Sequence, residues 1–393
     1  ALEKDLGKSG FEAYATEIGI VLGEIRWALG EFRDWARVQR VSTPLRAFPA
    51  RSELHVVPKG AVLIISPWNY PFQLTMAPLV AGIAAGNSVA IKVSELAPAT
   101  AEVIVRIVKR VWPDGHVIAV TGDADIASEL LDRRWDHVFF TGSTAVGRKV
   151  MMTCAKHLTP VTLELGGKSP CVIDRDVDLD VAARRVLWGK TINAGQTCVA
   201  PDFLAVHRDV KDAFVESLKN ASDGFFGKTP HTSMAYAKIV NDRHFDRLEK
   251  ALEGTKILFG GGRDSASRKF SPTVVELAPE KLSGSALEQA FEHPLMKEEI
   301  FGPILPLLTW SDTNELDLIL NLHPRPLAFY VFSRRTEFAE SLVRRFAFGG
   351  ASVNDTLIHM VNDELPFGGI GESGMGAYHG RYGFETFSHR KAV

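Results

Sequence analysis

The sequence predicts an α/β protein in which a doubly wound, mostly parallel sheet is followed by a second α/β series. Short apolar runs alternate with helical segments from residue 61 to residue 165, and these runs lack the polar alternation of half-buried strands. A second series of strand and helix candidates begins near Ser169. The chain of 393 residues is long enough for two or three domains with sizeable cores.

Composition and charge exclude several classes of protein. The net charge of -2 gives no electrostatic signal for nucleic acid or an anionic membrane. The apolar run from Leu74 to Ala85 is too short to span a bilayer. The three cysteines form no CxxC pair, which argues against a disulfide framework or a metal site and favours the cytoplasm. The abrupt start and end of the chain suggest that residues are missing at both ends.

The first sixty residues predict one long helix and an extended excursion. Apolar residues at steps of three and four favour a helix over residues 11–40 with one apolar face. This face consists of Ile18, Leu22, Ile25, Leu29, Phe32 and Ala36. Weak alternation over residues 46–57 then favours a hairpin.

A regular series of strands and helices follows. The predicted strands are Ala61–Ile65, Ser88–Lys92, Val117–Thr121, His137–Phe140 and Val161–Leu165. The predicted helices are Phe72–Ala84, Ala99–Val111, Ala124–Leu131 and Thr144–Ala155. Such connections give a parallel sheet, and ligands bind such sheets at the carboxyl ends of their strands.

The second series is less regular. Its predicted strands are Cys171–Ile173, Phe203–Val206, Lys256–Phe259, Ile304–Leu308 and Phe329–Phe332. Its predicted helices are Asp178–Ile192, Val210–Asn220 and Ala235–Glu253. We expect surface loops over Ser222–Thr232, Gly260–Lys269 and Ser283–Glu292. Glycines concentrate between Gly368 and Gly383, which suggests backbone packed closely against another part of the molecule.

Cys198 is the first candidate for chemistry. It lies in the stretch Asn193–Pro201, directly after a predicted helix, and small or amide residues precede it, so the sulfur can be approached closely. A free cysteine is more often a buried structural residue, and for Cys198 on its own that alternative stays open. Cys154 and Cys171 match no catalytic pattern, and we interpret both as structural.

Gly142, Ser143 and Gly147 form a candidate phosphate site. They follow a strand and open a helix, where free N–H groups and the helix dipole favour a pyrophosphate. The motif differs from the usual GxGxxG pattern, and a plain helix cap is the alternative for Ser143.

Two further candidates follow the first two strands. Trp68 and Asn69 stand in the stretch Pro67–Pro71, and the Asn69 amide can donate to a developing oxyanion, unless it serves only the turn. Lys92 and Glu95 suit a ribose or a phosphate, although an ordinary surface ion pair also explains them.

Carboxylates supply the remaining candidates. Glu164 ends an apolar strand, where burial would raise its pKa and suit it to act as a general base. A salt bridge to Lys168 is the alternative. Glu299 and Phe301 belong to an acidic turn that, by itself, is typical of a protein surface.

Together and in this order, these motifs resemble the NAD(P)-dependent aldehyde dehydrogenase superfamily over essentially the whole chain. The spacing between Glu164 and Cys198 is similar to that of the family. The tail Pro366–Gly376 and the ending Tyr378–Lys391 look most like the class 3 branch, which acts on fatty or aromatic aldehydes.

The resemblance implies an aldehyde dehydrogenase-like fold in three parts. A Rossmann-type cofactor-binding domain would span residues 1–165, with the hairpin 46–57 serving oligomerisation. A second α/β catalytic domain would span residues 166–373, and a small, truncated oligomerisation tail would span residues 374–393. The hairpin and the tail would join the sheet of a neighbouring subunit in a homodimer.

The resemblance also implies a reaction and a role for each candidate. An aldehyde would be oxidised to the carboxylic acid through a cysteine thiohemiacetal and a thioester, with hydride transfer to NAD or NADP. Cys198 would be the nucleophile, Asn69 the oxyanion donor and Glu164 the base that hydrolyses the thioester. The implied cofactor-binding residues are Trp68, Lys92, Glu95, Gly142, Ser143, Gly147, Leu165, Glu299 and Phe301. Val93 replaces a proline of many relatives, which leaves the choice between NAD and NADP open.

Three alternatives remain at this stage. A CoA-acylating relative would pass the acyl group from Cys198 to CoA, but it would not need Glu164. A thiol hydrolase with a Cys–His pair would leave the Gly142–Gly147 turn and Lys92 unexplained. A catalytically silent protein of this fold is disfavoured because Cys198, Glu164 and Asn69 are all present.

Overall fold

The computed structural model describes residues 1–277 and 290–393 and confirms an α/β fold with mostly parallel sheets. Most of the predicted loop Ser283–Glu292 lies outside these residues. The helices in the described part are all too short or too polar to cross a membrane.

The strands are numbered in chain order. They are β1 (Gln39–Val41), β2 (Ser52–Pro58), β3 (Ala61–Ile65), β4 (Ser88–Lys92), β5 (Val117–Val120), β6 (His137–Thr141), β7 (Val161–Glu164), β8 (Pro170–Ile173), β9 (Phe203–His207), β10 (Lys256–Phe259), β11 (Arg263–Asp264), β12 (Lys269–Phe270), β13 (Thr273–Glu276), β14 (Ile304–Trp310), β15 (Ala328–Phe332), β16 (Gly350–Val353), β17 (Gly374–Met375) and β18 (Ser388–Ala392).

The α-helices of the described residues are numbered in the same way. They are α1 (Leu2–Leu6), α2 (Gly10–Ala13), α3 (Gly19–Trp35), α4 (Gln73–Ala84), α5 (Pro98–Val111), α6 (Ala124–Leu131), α7 (Thr144–Ala155), α8 (Leu179–Thr191), α9 (Lys211–Phe226), α10 (Asp242–Ala251), α11 (Pro294–Lys297), α12 (Thr313–Asn321), α13 (Thr336–Arg345) and α14 (Gly380–Thr386). A π-helical turn, Tyr14–Ile18, joins α2 to α3.

The first sheet has the strand order β5-β4-β3-β6-β7, all parallel, with β17 antiparallel at the edge beside β7. Strands β3, β4 and β6 are buried along nearly their whole length, which explains their unbroken apolar runs. The chain runs outward from β3 to β5 and then returns to β6, so the strand order reverses between β3 and β6. A crevice opens at such a switch point, beyond the carboxyl ends of the strands.

The second sheet has the order β10-β13-β14-β9-β8-β15-β16, and all neighbours are parallel except β10 and β13. The loops that precede β8, β9 and β14 carry Lys168, Cys198 and Glu299. These loops face the crevice of the first sheet, so the cleft lies between the carboxyl end of one sheet and the amino end of the other.

A third, antiparallel sheet joins the two ends of the chain. It has the order β1-β2-β18, so the C-terminal strand pairs with β2 of the same chain. The predicted hairpin over residues 46–57 is wrong in its first half, because Leu45–Ala47 form a 3-10 turn between β1 and β2. Pro44 and Pro49 flank this turn and have no N–H to donate to a strand ladder.

The first long helix ends at Trp35 rather than at residue 40, and its apolar face is only partly covered. Leu29 is 70% exposed, whereas Glu17 and Glu24 are buried. The spacing of apolar residues does not predict the burial of Glu17. This charged side chain lies in the interior because it pairs there with Lys8.

Two predicted helices in the second series have different bounds. Helix α9 continues to Phe226, through the first part of the expected loop Ser222–Thr232, and stops only at Gly227. Helix α10 starts at Asp242 rather than at Ala235, because the Asn241 side chain accepts a hydrogen bond from the N–H of His244 and caps the helix there.

One hydrophobic core spans both large sheets. It includes Ile64, Ile91 and Phe139 of the first sheet together with Leu204 and Tyr330 of the second. Cys154 and Cys171 are buried free thiols, as befits structural cysteines. The shared core holds the two sheets together across the cleft.

The C-terminal helix α14 is predicted to depend on a glycine at its first residue. Gly380 has φ +47°, and an added Cβ would lie 1.9 Å from the Trp27 ring of α3. Gly115 also has a positive φ, +82°, but has open space around it. An alanine should therefore cost roughly 1 kcal/mol at either position through backbone strain, and a further 1–3 kcal/mol or so at Gly380 through overpacking. Urea unfolding of Gly380→Ala and Gly115→Ala checks this, and equal losses would contradict the contact with Trp27.

Candidate active site

A cleft of about 810 Å³ lies between the two large sheets. Its volume is in the range of small-ligand sites. It brings together most of the predicted site residues, namely Trp68, Asn69, Gly142, Ser143, Glu164, Leu165, Cys198, Glu299 and Phe301. Lys92, Glu95 and Gly147 lie outside its lining.

The loop before Cys198 has an unusual backbone. Asn193, Ala194 and Gly195 have φ values of +52°, +51° and +73°, so three successive residues are left-handed. Small residues are needed here because a Cβ on Gly195 would lie 2.4 Å from the carbonyl oxygen of Gly302. The loop ends the helical path of α8 and turns Cys198 into the cleft. Such strain persists only where surrounding contacts hold it.

Gln196 supplies several of these contacts. Its side-chain amide donates to the carbonyls of Asn193, at 2.9 Å, and Lys238, at 3.0 Å. Its side-chain oxygen accepts from the N–H of Val240 at 2.9 Å. Gln196 therefore fastens the loop to the segment that leads into α10.

Two tyrosines hold the residues on either side of Cys198. The Tyr70 hydroxyl lies 2.6 Å from Oγ1 of Thr197, and the Tyr330 hydroxyl donates to the carbonyl of Val199 at 2.6 Å. Both tyrosines are buried. Tyr70 stands in the predicted stretch Pro67–Pro71 but was given no role there, and no motif marked Tyr330, because both contacts appear only when the two loops come together.

Asn69 is buried directly against the Cys198 loop. Its side-chain amide donates to the backbone carbonyl of Gln196 at 3.1 Å. The backbone carbonyl of Asn69 in turn accepts from Nδ2 of Asn193 at 2.7 Å. The amide carries two N–H groups, so one remains for a ligand in the cleft. Asn69 and Cys198 thus form one hydrogen-bonded unit that joins loops from the two sheets.

Cys198 is held as a thiol by its surroundings. Burial raises the pKa of its thiol, and the nearby carboxylates of Glu299 and Glu164 raise it further. The N–H groups of Cys198 and Val199 act in the opposite direction. A nucleophilic sulfur here must lose its proton as the reaction begins, since the resting thiolate fraction is very small.

Glu164 is buried at the end of β7 with neither carboxylate oxygen hydrogen-bonded to any described residue. Burial raises the pKa of Glu164 well above its ordinary value. The predicted alternative, an ion pair with Lys168, does not form, because Lys168 donates to Asp202 at 2.6 Å. A buried carboxyl without a partner is the exception in folded proteins, which makes Glu164 a candidate for chemistry.

The acidic turn that carries Glu299 is held by a buried network that the sequence did not reveal. Asp202 accepts from the N–H of Ile300 at 3.2 Å and pairs with Lys168 and Lys190. Arg247 donates to the carbonyl of Ile300 at 2.5 Å. Burial is the main cause that raises the pKa of Glu299 to about 8, with a contribution from the charge of Asp202.

Aromatic rings form one wall of the cleft. Trp68 packs edge to face against Phe301, with ring centroids 5.3 Å apart, and contacts the ring of His244 at 5.4 Å. Burial and the charges of Arg247 and Arg243 lower the pKa of His244 to about 4, so this imidazole is neutral. The wall offers an apolar surface to part of a ligand.

The turn Gly142–Ser143 opens helix α7 at the other end of the cleft. The Ser143 side chain caps the helix by accepting from the N–H of Val146 at 3.4 Å, so the predicted N-cap alternative is present in the fold. The Thr141 hydroxyl is buried there without a hydrogen-bond partner among the described residues. Gly147 lies on the face of α7 that packs against the sheet, where an added Cβ would lie 2.5 Å from the Leu165 side chain. Gly147 therefore permits close packing of α7 on the sheet.

Lys92 and Glu95 lie together at the carboxyl end of β4. Nζ of Lys92 donates to the Glu95 carboxylate at 2.6 Å, with the lysine buried and the glutamate partly exposed. Val93 between them donates its N–H to Val120 of β5 at 3.2 Å. A proline at this position could not make that bond.

The fold and the site define the class of protein. Residues 1–393 match the model of the aldehyde dehydrogenase family. The chain belongs to this family, whose members oxidise aldehydes to acids with NAD(P)+, and it is an enzyme of this class.

Relatives place the chain within the class 3 branch. It is 43% identical over 394 residues to 4,4′-diaponeurosporen-aldehyde dehydrogenase of Staphylococcus aureus, covering 100% of this chain and 83% of the relative. It is 42% identical over 393 residues to the dimeric, NADP-preferring aldehyde dehydrogenase of Rattus norvegicus, and the match covers 100% of this chain and 84% of the relative. The structure of the substrate-bound state of Staphylococcus aureus AldH superposes with a TM-score of 0.95 at 42% identity, and the match covers 100% of this chain and 84% of that structure's chain.

The electrostatic coupling of Cys198 to Glu299 predicts a difference in alkylation kinetics. Since the pKa of Glu299 is about 8, its carboxyl is mostly neutral at lower pH and becomes charged above that value. The charge then opposes formation of the Cys198 thiolate. Glu299→Gln should therefore react with iodoacetamide at the wild-type rate near pH 7, and up to about tenfold faster above pH 8. Cys198→Ala gives the background, and superimposable pH profiles would contradict the coupling.

Proposed function

We propose that Cys198, Asn69 and Glu164 carry out the oxidation of an aldehyde to a carboxylic acid with NAD(P)+. One observation supports this proposal above the others. A thiol, an amide donor bonded to its loop and a buried carboxyl with no hydrogen-bond partner among the described residues line the same cleft. These are the three groups that nucleophilic attack, oxyanion stabilisation and thioester hydrolysis require.

In the first step, Sγ of Cys198 bonds to the aldehyde carbon and the thiol proton passes to a base. The carbonyl π electrons move to oxygen and form an oxyanion. The Asn69 side chain and the N–H of Cys198 would donate to this oxygen. Loss of one such donor typically lowers the rate about a hundred- to a thousandfold.

Bound NAD(P)+ would supply the hydride acceptor, and loss of the hydride from the former aldehyde carbon would leave a thioester on Cys198. The cleft fits such a cofactor because a capped helix start and the orphaned Thr141 hydroxyl lie at one end. Gly142 and Ser143 would hold the pyrophosphate, Lys92 and Glu95 the adenosine ribose, and Glu299 the nicotinamide ribose. Trp68, Leu165 and Phe301 would contact the cofactor from the walls, and Gly147 would support the turn through the packing of α7.

Glu164 would then act as the base for thioester hydrolysis. Its carboxylate takes a proton from water as the water oxygen attacks the thioester carbon. The C–S bond breaks, and Cys198 leaves as a thiolate that regains its proton. A carboxylate with a raised pKa binds this proton more strongly than an ordinary one. Transfer to CoA is disfavoured, because thiolysis of the thioester does not need a carboxylate that activates water.

Glu164→Gln is predicted to separate the two halves of the reaction. The variant should form about one equivalent of NADH per site in a burst, and then turn over at least a hundredfold more slowly than wild type, because the amide cannot take the proton of water. Stopped-flow absorbance of NADH measures both phases. Cys198→Ala is the matched control and should form no NADH. Wild-type turnover in Glu164→Gln would remove this residue from the mechanism.

The same base assignment fixes the direction of the pH dependence. Only ionised Glu164 accepts a proton, so thioester hydrolysis should slow as pH falls through its raised pKa. The residual turnover of Glu164→Gln should lack this dependence. Addition of CoA to either protein should leave the yield of free acid unchanged.

The preferred cofactor is proposed from charge, and the substrate class from the relatives. The Glu95 carboxylate would repel a 2′-phosphate, so NAD+ is the proposed preferred cofactor, which a comparison of kcat/KM for NAD+ and NADP+ tests. The proposed substrates are aliphatic or aromatic aldehydes of medium length, in keeping with the class 3 relatives of this chain.

The division of the chain, its assembly and its location are also proposals. The six-stranded sheet supports a cofactor-binding unit over residues 1–165, the seven-stranded sheet supports a catalytic unit over residues 166–373, and strand β18 supports an oligomerisation tail over residues 374–393. A homodimer is proposed because the rat relative is named dimeric. Three free cysteines support the cytoplasm as the location.

A further inference from the structure

Three charged residues near the start of the chain lie beneath the active-site loops, although no motif marked them. Lys8 and Glu17 have fully buried side chains that pair at 2.5 Å. Glu12 accepts the N–H of Asn193 at 2.6 Å. Taking such charges out of water is costly, so their placement needs a reason beyond stability.

The Lys8–Glu17 pair contacts the middle and the C-terminal end of the loop that carries Asn69. Nζ of Lys8 donates to the carbonyl oxygen of Asn69 at 3.0 Å and lies 4.0 Å from the centre of the Tyr70 ring. The second carboxylate oxygen of Glu17 accepts the N–H groups of Phe72, at 2.8 Å, and Gln73, at 3.2 Å. One ion pair therefore fixes the peptide of Asn69 and the start of α4.

This arrangement extends to the nucleophile. Tyr70, whose ring lies under Lys8, is within hydrogen-bond distance of Thr197, the residue before Cys198. The Asn69 carbonyl that accepts from Lys8 also accepts from Asn193 of the Cys198 loop. A displacement of Lys8 would thus change the orientation of the Asn69 amide, although Lys8 does not line the cleft.

We propose that Lys8 and Glu17 are positioning residues that hold the Asn69 amide at the place where the oxyanion forms. This inference rests on the proposed role of Asn69 and adds the groups that set its geometry. They act through Asn69 and touch neither the substrate nor the cofactor. A shift of about 1 Å in a catalytic group can cost about a hundredfold in rate.

The test is a cycle between Lys8→Met/Glu17→Gln and Asn69→Ala. The double change removes the donor to Asn69 together with both charges of the ion pair, and it also removes the attraction between Lys8 and the partly buried Glu12. The new amide oxygen at position 17 still suits the N–H groups of Phe72 and Gln73. The measured quantity is the single-turnover rate of NADH formation at saturating aldehyde and cofactor. The expected loss is about ten- to a hundredfold in the wild-type background and less than about twofold when Asn69 is already alanine.

A control neutralises a second ion pair, in which the carboxylate is buried and the guanidinium is partly exposed. Asp174, fully buried after β8, pairs with Arg335 at the edge of the second sheet that faces away from the cleft. Asp174→Asn/Arg335→Met should lower the urea midpoint without lowering the single-turnover rate. For Lys8→Met/Glu17→Gln, equal fold losses of the single-turnover rate with Asn69 and with Asn69→Ala would overturn the inference. No loss of that rate would overturn it as well.

Two further results keep the outcomes distinct. If Asn69→Ala alone leaves the rate unchanged, the proposed role of Asn69 fails together with the inference; if it slows the enzyme while the Lys8/Glu17 variant does not, only the inference fails. Should the double variant not fold, Glu17→Gln alone retains the Lys8 donor to Asn69 and should cost less than about threefold. A tenfold loss there that persists in Asn69→Ala would overturn the proposal.

Discussion

The hydrogen bonds between Asn69 and the Cys198 loop are the contacts on which the site depends. Asn69 follows β3 of the first sheet, and Asn193 and Gln196 precede β9 of the second. The bonds that join them, at 2.7 and 3.1 Å, bring the Cys198 loop and an amide donor from separate sheets to one point. A rotation of one sheet against the other would separate these groups, and the shared hydrophobic core opposes such a rotation.

Charge distribution within the cleft favours a neutral resting state. Burial and two carboxyls keep Cys198 protonated, and burial raises the pKa values of Glu164 and Glu299 as well. Burial therefore favours the protonated form of all three groups.

The sequence was most informative where a strand is buried on both faces. Strand β4 was predicted to the residue and β3 likewise, because unbroken apolar runs leave no other assignment. It was least informative where one residue depends on a distant partner. Glu17 reads as a polar surface position of the first helix, and only the pairing with Lys8 explains its burial. Helix α10 similarly starts at the Asn241 cap, which apolar spacing does not mark.

The same distinction holds for the site. Cys198, Glu164, Asn69 and Glu299 stand in recognisable motifs, and the cleft brings them together. The expectation that ligands bind at carboxyl ends of strands accounts for only half of this cleft, since the loop of Cys198 leads into the amino end of β9. No neighbouring sequence pattern marks supporting residues such as Asp202 and Tyr330. The groups that they hydrogen-bond, Ile300 and Val199, lie far away in the sequence.

The most direct test of this account is the identification of the acyl-enzyme. Glu164→Gln would be mixed with NAD+ and an aldehyde, quenched in acid, and digested for peptide mass spectrometry. The account predicts that the peptide containing Cys198 gains the mass of the acyl group, at near one equivalent per chain, and that peptides with Cys154 and Cys171 stay unmodified. NADH formation without an acyl group on Cys198, or an acyl group on another residue, would contradict the assignment of the nucleophile.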